Sequence, residues 1–277
     1  PEDIANLVKG YVNSDHYRYL ENIANYYDSE NTGILKIYND KKDRKKTPNN
    51  CVPTAYYSTL VDSIAGYLFN NVVYADCTDK DETEDEEQKQ GAFSMALNDL
   101  YEKINIDYTD MQTGIRTTCF NKGAEIVYTT GDGVNKAEIK VVSVDPRQML
   151  FVYNADIEPA ILYGIRIVSS AEKNIKYVVD FIAKDEWTSY KIDNDWKIAI
   201  NTDFVPRQLA WDECPCIEFN TETINGNTAF HQVLGYIDAL DVLISGNANE
   251  IDKLADALLK ISMSLTDEQK KNMSEWK

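Results

Sequence analysis

The sequence predicts an α+β protein: a helical N-terminal part, a mixed or antiparallel β region, and a long C-terminal helix. Three observations carry that expectation. Apolar residues recur at helical spacing through roughly the first 120 residues. From Ala124 the period shortens to alternating or wholly apolar runs separated by turn residues. From Thr228 to Met263 the helical period returns without a single proline.

Asp3 is placed to cap a first helix running to about Gly10, and a second helix fits Asp15 to Tyr27, with Tyr19, Ile23 and Tyr26 at helical spacing. The loop Ser29-Glu30-Asn31-Thr32-Gly33 ends it. Pro53 is expected early in the next helix, where its missing N–H costs little, and Tyr56, Leu60, Ile64 and Tyr67 form its apolar face. Eight of the twelve residues from Asp76 to Glu87 are acidic, so this stretch reads as a flexible loop in which like charges repel. A helix from about Gln88 to Ile104 carries Phe93, Leu97, Leu100, Tyr101 and Ile104. After a break at 105–107, Tyr108, Met111, Ile115 and Cys119 continue the spacing.

Strands are expected at Ala124–Thr129 and Ala137–Val144, joined by the turn signal Gly131-Asp132-Gly133. Asp145-Pro146 stops the second. Further strands are expected at Met149–Tyr153, Ile161–Val168, Ile175–Ile182, Trp187–Ile192, Trp196–Ile200 and Cys216–Phe219. The last helix spans about 50 Å at ~1.5 Å per residue. Its polar residues Asp238, Asp241, Ser245, Asn249, Asp252 and Asp256 step by three or four, tracing one acidic stripe. Either that stripe is the solvent face of a bundle helix, or it is a wall facing something that must not stick.

Composition narrows the function. The 277 residues suit one large domain or two modest ones. A net charge of −18 excludes a protein that grips nucleic acid by neutralising many phosphates, and disfavours docking on an anionic membrane. The basic island Lys41-Lys42-Asp43-Arg44-Lys45-Lys46 is the one dense cationic cluster: a solvated loop, or a contact with phosphate or an acidic protein. Tyrosine is unusually frequent, 18 against 8 Phe, and suits surfaces half-buried against a partner. Five scattered cysteines imply no disulfide framework and a reducing compartment. Cys214-Pro215-Cys216, with only His16 and His231 in the chain, lacks the complement of a zinc site. No signal peptide opens the chain, and no apolar run reaches the ~20 residues of a membrane helix. No cofactor is implied.

Catalytic patterns are sparse. There is no Gly-x-Ser-x-Gly, and no glycine-rich phosphate loop. The best enzyme reading is a metal-dependent nuclease in which Asp132 and Glu138 hold the ion beside Lys140. Asp107 with Asp110, or Asp180 with Glu186, are acid pairs of the kind that abundant carboxylates produce by chance. An acidic adaptor or DNA mimic binding a basic partner is a third reading.

The last third is more specific. Pro215-Cys216-Ile217-Glu218-Phe219-Asn220 is followed by Phe230-His231-Gln232-Val233-Leu234 and then Tyr236-Ile237-Asp238-Ala239-Leu240-Asp241. Ser245-Gly246-Asn247-Ala248-Asn249-Glu250-Ile251 and Ala255-Asp256-Ala257-Leu258-Leu259 complete the series. Together they resemble the portal protein family of tailed bacteriophages, the siphophage type in particular. Tyr26-Tyr27, Asn49-Asn50, Val61-Asp62, Gly66-Tyr67-Leu68, Asp145-Pro146 and Phe151-Val152-Tyr153 resemble earlier segments of the same family.

The resemblance implies a non-enzymatic subunit of a ring, usually of twelve copies, at one vertex of the viral head. Double-stranded DNA passes through such a ring during packaging and ejection, weakly and without sequence preference. The terminase large subunit, scaffold, major capsid protein and head-completion adaptor are the other implied partners, with no membrane. The implied location is the portal vertex of the virion, and the host cytoplasm during assembly. On this scheme residues 1–75 form the helical N-terminal part of the wing, 76–90 an acidic flexible loop and 91–227 the α+β wing. Residues 228–263 form the stem helix and 264–277 the start of the clip, with the rest of the clip, a second stem helix and the crown absent. The acidic stripe, Asp238, Asp241, Asn249, Asp252 and Asp256, is then expected to face the channel, where carboxylates repel the phosphates that must slide past.

Overall fold

The computed structural model describes residues 1–31, 33, 50–69, 71, 74, 84–130, 138–209, 211–221 and 226–264, with side chains at all of these except 84–90 and 256–264. The basic island 41–46, Asp132 with its glycines, the acids at 76–82 and the segment 265–277 lie outside the described residues. The architecture is α+β with a long C-terminal helix, as expected. Contacts gather the chain into two compact units: Pro1–Ala24 with Leu60–Ala229, and Asn25–Thr59 with Phe230–Lys277. The segment 25–59 thus belongs with the C-terminal helix rather than with its sequence neighbours.

In the first unit, α1 spans Glu2–Val12. Asp3 is not its cap: it lies in the first turn, behind Pro1, where a carboxylate still favours the positive end of the helix dipole. Helix α2, Asp15–Tyr27 as its spacing predicts, and α3, Tyr56–Phe69, each contribute residues to both units. The burial of α3 inverts the expected face. Tyr57, Val61 and Ala65 are fully buried, whereas Tyr56, Leu60, Ile64 and Tyr67 are exposed. Its apolar arc is wide, with Ser58, Thr59, Asp62 and Ser63 on the other side, so two adjacent stripes compete as the buried one and periodicity does not choose between them.

Helix α4, Glu84–Ile104, starts four residues before the expected Gln88. Residues 84–87, read as the end of a repelling loop, form its first turn instead. Asn105, in the left-handed conformation at φ 54°, makes the break before α5, Ile106–Phe120.

Two antiparallel sheets follow. Strands β1 (Lys122–Thr130) and β2 (Glu138–Val144) form the expected hairpin, and β9 (Cys216–Asn220) pairs on the other side of β1. Asp145 then accepts the N–H of Arg147 at 2.9 Å, capping a 3-10 turn at Pro146–Gln148 that leads into the second sheet. That sheet runs β3 (Met149–Tyr153), β4 (Ile161–Ser169), β5 (Ile175–Ala183), β6 (Glu186–Asp193) and β7 (Ile198–Ile200), with β8 (Arg207–Gln208) also on β6. Strand β7 starts two residues after the expected Trp196. Trp196 itself sits at φ 65° in the turn, where Asp193 accepts the N–H groups of Asp195 and Lys197.

One core joins Ala5 and Val8 of α1 to Ile165, Ile167, Val179 and Ile192 of the larger sheet. Another joins the sheets through Ile126, Val144, Met149, Ile182 and Cys216. Gly164 is required at that junction. A Cβ there would stand 2.4 Å from Met149 Cε and 2.7 Å from Cys216 Sγ.

In the second unit, a 3-10 turn at His231–Val233 precedes α6, Leu234–Ser264, whose 31 residues span about 47 Å. Phe230 packs edge-on to buried Tyr57 at 5.9 Å, and Tyr57 lies 6.2 Å from Tyr26. Pro53 is not within a helix: residues 50–54 are non-helical, and α3 begins at Tyr56.

Candidate functional site

The polar stripe of α6 organises the second unit. Asp241 and Ser245 are fully buried and Asn249 nearly so. Both oxygens of Asp241 are engaged: Oδ1 accepts the Thr54 N–H and Oδ2 the Asn31 side-chain amide, each at 2.8 Å. Ser245 Oγ accepts the Val52 N–H at 2.9 Å, and Asn249 Oδ1 accepts the Asn50 N–H at 2.6 Å. Asp252 accepts the Asn50 side-chain amide, and Asp238 accepts the Tyr26 hydroxyl at 2.8 Å.

The geometry follows from two repeats. Four helical residues advance about 6.0 Å, and two extended residues advance about 6.6 Å. Residues 50, 52 and 54 therefore stay in step with 249, 245 and 241, running in the opposite direction. The proline falls at 53, between two donating positions, where no N–H is needed. Outside any sheet, each donating N–H of this segment has found a side-chain acceptor. Burial, the hydrogen bond to Asp238 and that carboxylate's charge together raise the Tyr26 phenol far above its ordinary pKa.

This corrects the expected placement of the stripe. Asp241 and Asn249 are buried within their own chain and present nothing to a channel. Asp238 is half-buried under Tyr26, Asp252 is exposed, and the Asp256 side chain lies outside the described set. The opposite face is apolar and bare: Tyr236, Leu240, Leu243, Ile251 and Leu254 are exposed, Leu243 at 60% and Leu254 at 65%. The helix thus turns its polar side inward and its apolar side outward. Tyr26, Asn31, Asn50, Val52 and Thr54 were not identified from the sequence as partners of the stripe. The one available signal is the alternation 50/52/54 around a proline, set against a four-residue step in the helix.

The nuclease constellation is not assembled among the described residues. Glu138 is engaged by Lys103 at 3.1 Å and Lys140 at 3.5 Å, and Lys103 first, then Lys140, hold its pKa down. Among the described residues no group of three or more His, Cys, Asp or Glu is placed to hold a metal ion. Asp180 is bound by Arg166 at 3.1 Å. Asp110 is raised by burial and by the charge of Asp107. His16 is lowered by burial and by Lys122. In the Cys214–Cys216 pair, a hydrogen bond from Cys216 brings Cys214 down to about 7, while that same bond and burial push Cys216 up.

A further polar chain lies in the first unit. Arg116 Nη1 donates to Ser143 Oγ at 2.6 Å, the Ser143 and Thr113 hydroxyls are 2.8 Å apart, and Thr113 donates to Glu125 at 2.6 Å. Because each hydroxyl has one proton, the order Arg116 to Ser143 to Thr113 to Glu125 satisfies every member. Only the β1–β2 register, which pairs Glu125 with Ser143, brings these residues together.

The sequence matches the family described as phage portal protein, SPP1 Gp6-like, over residues 9–277. None of the curated proteins compared with the chain is a match.

Proposed function

The chain belongs to the SPP1 Gp6-like family of phage portal proteins, which are structural rather than catalytic, and from that premise we propose that it is one subunit of a ring at the head vertex through which double-stranded DNA is packaged and ejected. Terminase and the head–tail connector would dock on the same ring. The observation that carries the ring is the bare apolar face of α6, where Tyr236, Leu240, Leu243, Ile251 and Leu254 lie at three- to eight-residue steps. A monomer gains nothing by holding such a stripe in water, while copies standing side by side around a closed rotation would cover it. Ring formation therefore uses the outer face, and the polar face holds each subunit's own chain.

The surface charge supports passage without capture. At −18 the subunit gives phosphates little to release counterions onto, so DNA is not retained. Asp252, exposed on α6, is the described member of the acidic stripe left to meet the polyanion. Electron microscopy and native mass spectrometry of the chain test the reading: closed rings of one stoichiometry are expected. A strictly monomeric species at every concentration, alone or with scaffold, would remove it.

A further inference from the structure

Cys214 and Cys216 stand on either side of Pro215, where the chain bends into β9. Two residues of fully extended chain hold their Cα atoms about 6.6 Å apart. A bend shortens that span, and a disulfide bridges Cα separations of about 4.4–6.8 Å. Both side chains also reach one place on the larger sheet. The Cys214 thiol donates to the carbonyl oxygen of Ile182 on β5, with Sγ at 3.5 Å. Cys216 Sγ lies against Gly164 on β4, 2.7 Å from where a Cβ would stand. The β4–β5 register pairs Gly164 directly with Ile182, so the two sulfurs meet over one pair of facing residues. A side chain at 164 would push Cys216 out of that place.

The two thiols are unlike. Cys214 is half-buried, whereas Cys216 is buried in the core between the sheets. The hydrogen bond from Cys216 brings Cys214 down to about 7; burial opposes this, and the N–H groups of Cys216 and Gly164 assist it. Cys214 is therefore about half thiolate at neutral pH, where an attacking thiol works best. Cys216 is pushed up by its bond to Cys214 and by burial, so it stays protonated beside the first sulfur. One thiol is placed to react with a small molecule arriving from solvent, and the other to close on whatever forms.

We propose that Cys214 and Cys216 are a peroxide-reactive pair that closes into a reversible disulfide, with Cys214 attacking and Cys216 resolving. The Cys214 thiolate attacks one oxygen of a small hydroperoxide, the O–O bond breaks, and Cys214 becomes a sulfenic acid while the departing oxygen takes a proton from water. The Cys216 sulfur then attacks the Cys214 sulfur. The S–S bond forms, the S–O bond breaks, and the hydroxide leaves with the Cys216 proton as water. The two sulfurs give up two electrons in all, and the peroxide accepts them. Because the closed loop holds only three residues, the bond gains little from the unfolded chain, and a small dithiol reopens it. The pair is independent of ring formation and of the α6 face, and holds whether or not the portal reading does.

Treatment of the full chain with hydrogen peroxide at pH 7, followed by alkylation in denaturant and mass spectrometry, is the test. Trypsin leaves Cys214 and Cys216, and no other cysteine, on the peptide 208–253. That peptide is expected to lose two hydrogens and take up no iodoacetamide, and to regain both alkylations after dithiothreitol. Its conversion should run severalfold faster than the oxidation of Cys51, which is also half-buried. Cys216→Ser should stop at a sulfenic acid on Cys214, trapped as a single dimedone adduct, and Cys214→Ser should slow the oxidation of Cys216 severalfold. If either variant disturbs the fold, the parental chain decides alone, through the mass loss and its reversal. A peptide that gains oxygen without losing two hydrogens, that crosslinks to a different cysteine, or that reacts no faster than Cys51 would overturn the proposal.

Discussion

The backbone N–H of Thr54 donates to the fully buried carboxylate of Asp241, 187 residues away in sequence, at 2.8 Å. A carboxylate without water needs donors for its lone pairs, and here an extended backbone and the Asn31 amide supply them. The acidic stripe that looks like a wall toward solvent is largely the inner seam of the unit. Its periodicity serves the i, i+4 step of a helix matched to an extended strap, and the outward face is left apolar.

Removing the Asp241 carboxylate leaves two buried donors unmet. Asp241→Leu should destabilise the second unit by about 2–4 kcal/mol, from roughly 1–3 kcal/mol for each orphaned donor less the gain from burying an apolar side chain. Ser245→Ala removes one neutral acceptor and should cost about 1 kcal/mol. Urea denaturation measures both. A Leu variant as stable as the parent would show that the strap does not depend on this seam.

Glu125 gives a pH signature. Burial raises its pKa above the ordinary 4.5, aided by the charge of Asp110 and opposed by the Thr113 hydrogen bond. A group whose folded pKa is raised contributes stability below its unfolded pKa, and that stability is lost as pH rises through the folded value. Glu125→Gln keeps an acceptor for Thr113 and removes the ionisation. The variant should therefore gain on the parent progressively from pH 4.5 toward neutrality, read as a widening gap in urea midpoints. A gap that is constant with pH would show that Glu125 does not titrate differently in the fold.

Most of the element order was legible from periodicity and turn residues, down to α2 at Asp15–Tyr27, β3 at Met149–Tyr153 and the β1–β2 hairpin. What escaped is what depends on partners distant in sequence. The buried face of α3 is chosen by Tyr57, Val61 and Ala65 because of what packs on them, while the other stripe is equally apolar. The inward turn of the α6 polar stripe depends on residues 50–54, whose alternation 50/52/54 has meaning only once the helix opposite it is known.

The Cys214–Cys216 pair differs in reactivity by its environment. Cys214 is held near pKa 7 by the hydrogen bond from Cys216, whereas Cys216 is buried and raised. The thiolate is the nucleophile, so Cys214 should alkylate with iodoacetamide with a midpoint below that of an ordinary cysteine, while Cys216 stays unmodified in the folded chain. Peptide mapping by mass spectrometry reads both. In a Cys216→Ser variant the hydroxyl is a different donor, and the Cys214 midpoint should move. Equal labelling of the two thiols would show that the pair is not held as described.

The outward face of α6 makes the sharpest demand. Leu243 and Leu254 are exposed, so Leu243→Lys and Leu254→Lys remove no buried apolar contact and should change the denaturation midpoint little. In a ring the same substitutions would bury like charges at every subunit junction, which costs far more than the lost apolar area and repeats around the whole circle. The expected result is a folded subunit, with parental circular dichroism and melting, that no longer closes into rings by electron microscopy. Asp252→Lys changes the other side of the helix, where no junction is proposed. It should form rings normally but slow DNA packaging in the assembled virus, because a cation would then meet each passing phosphate. Rings that persist with lysine at both 243 and 254 would mean that the apolar stripe is covered by something other than a neighbouring copy.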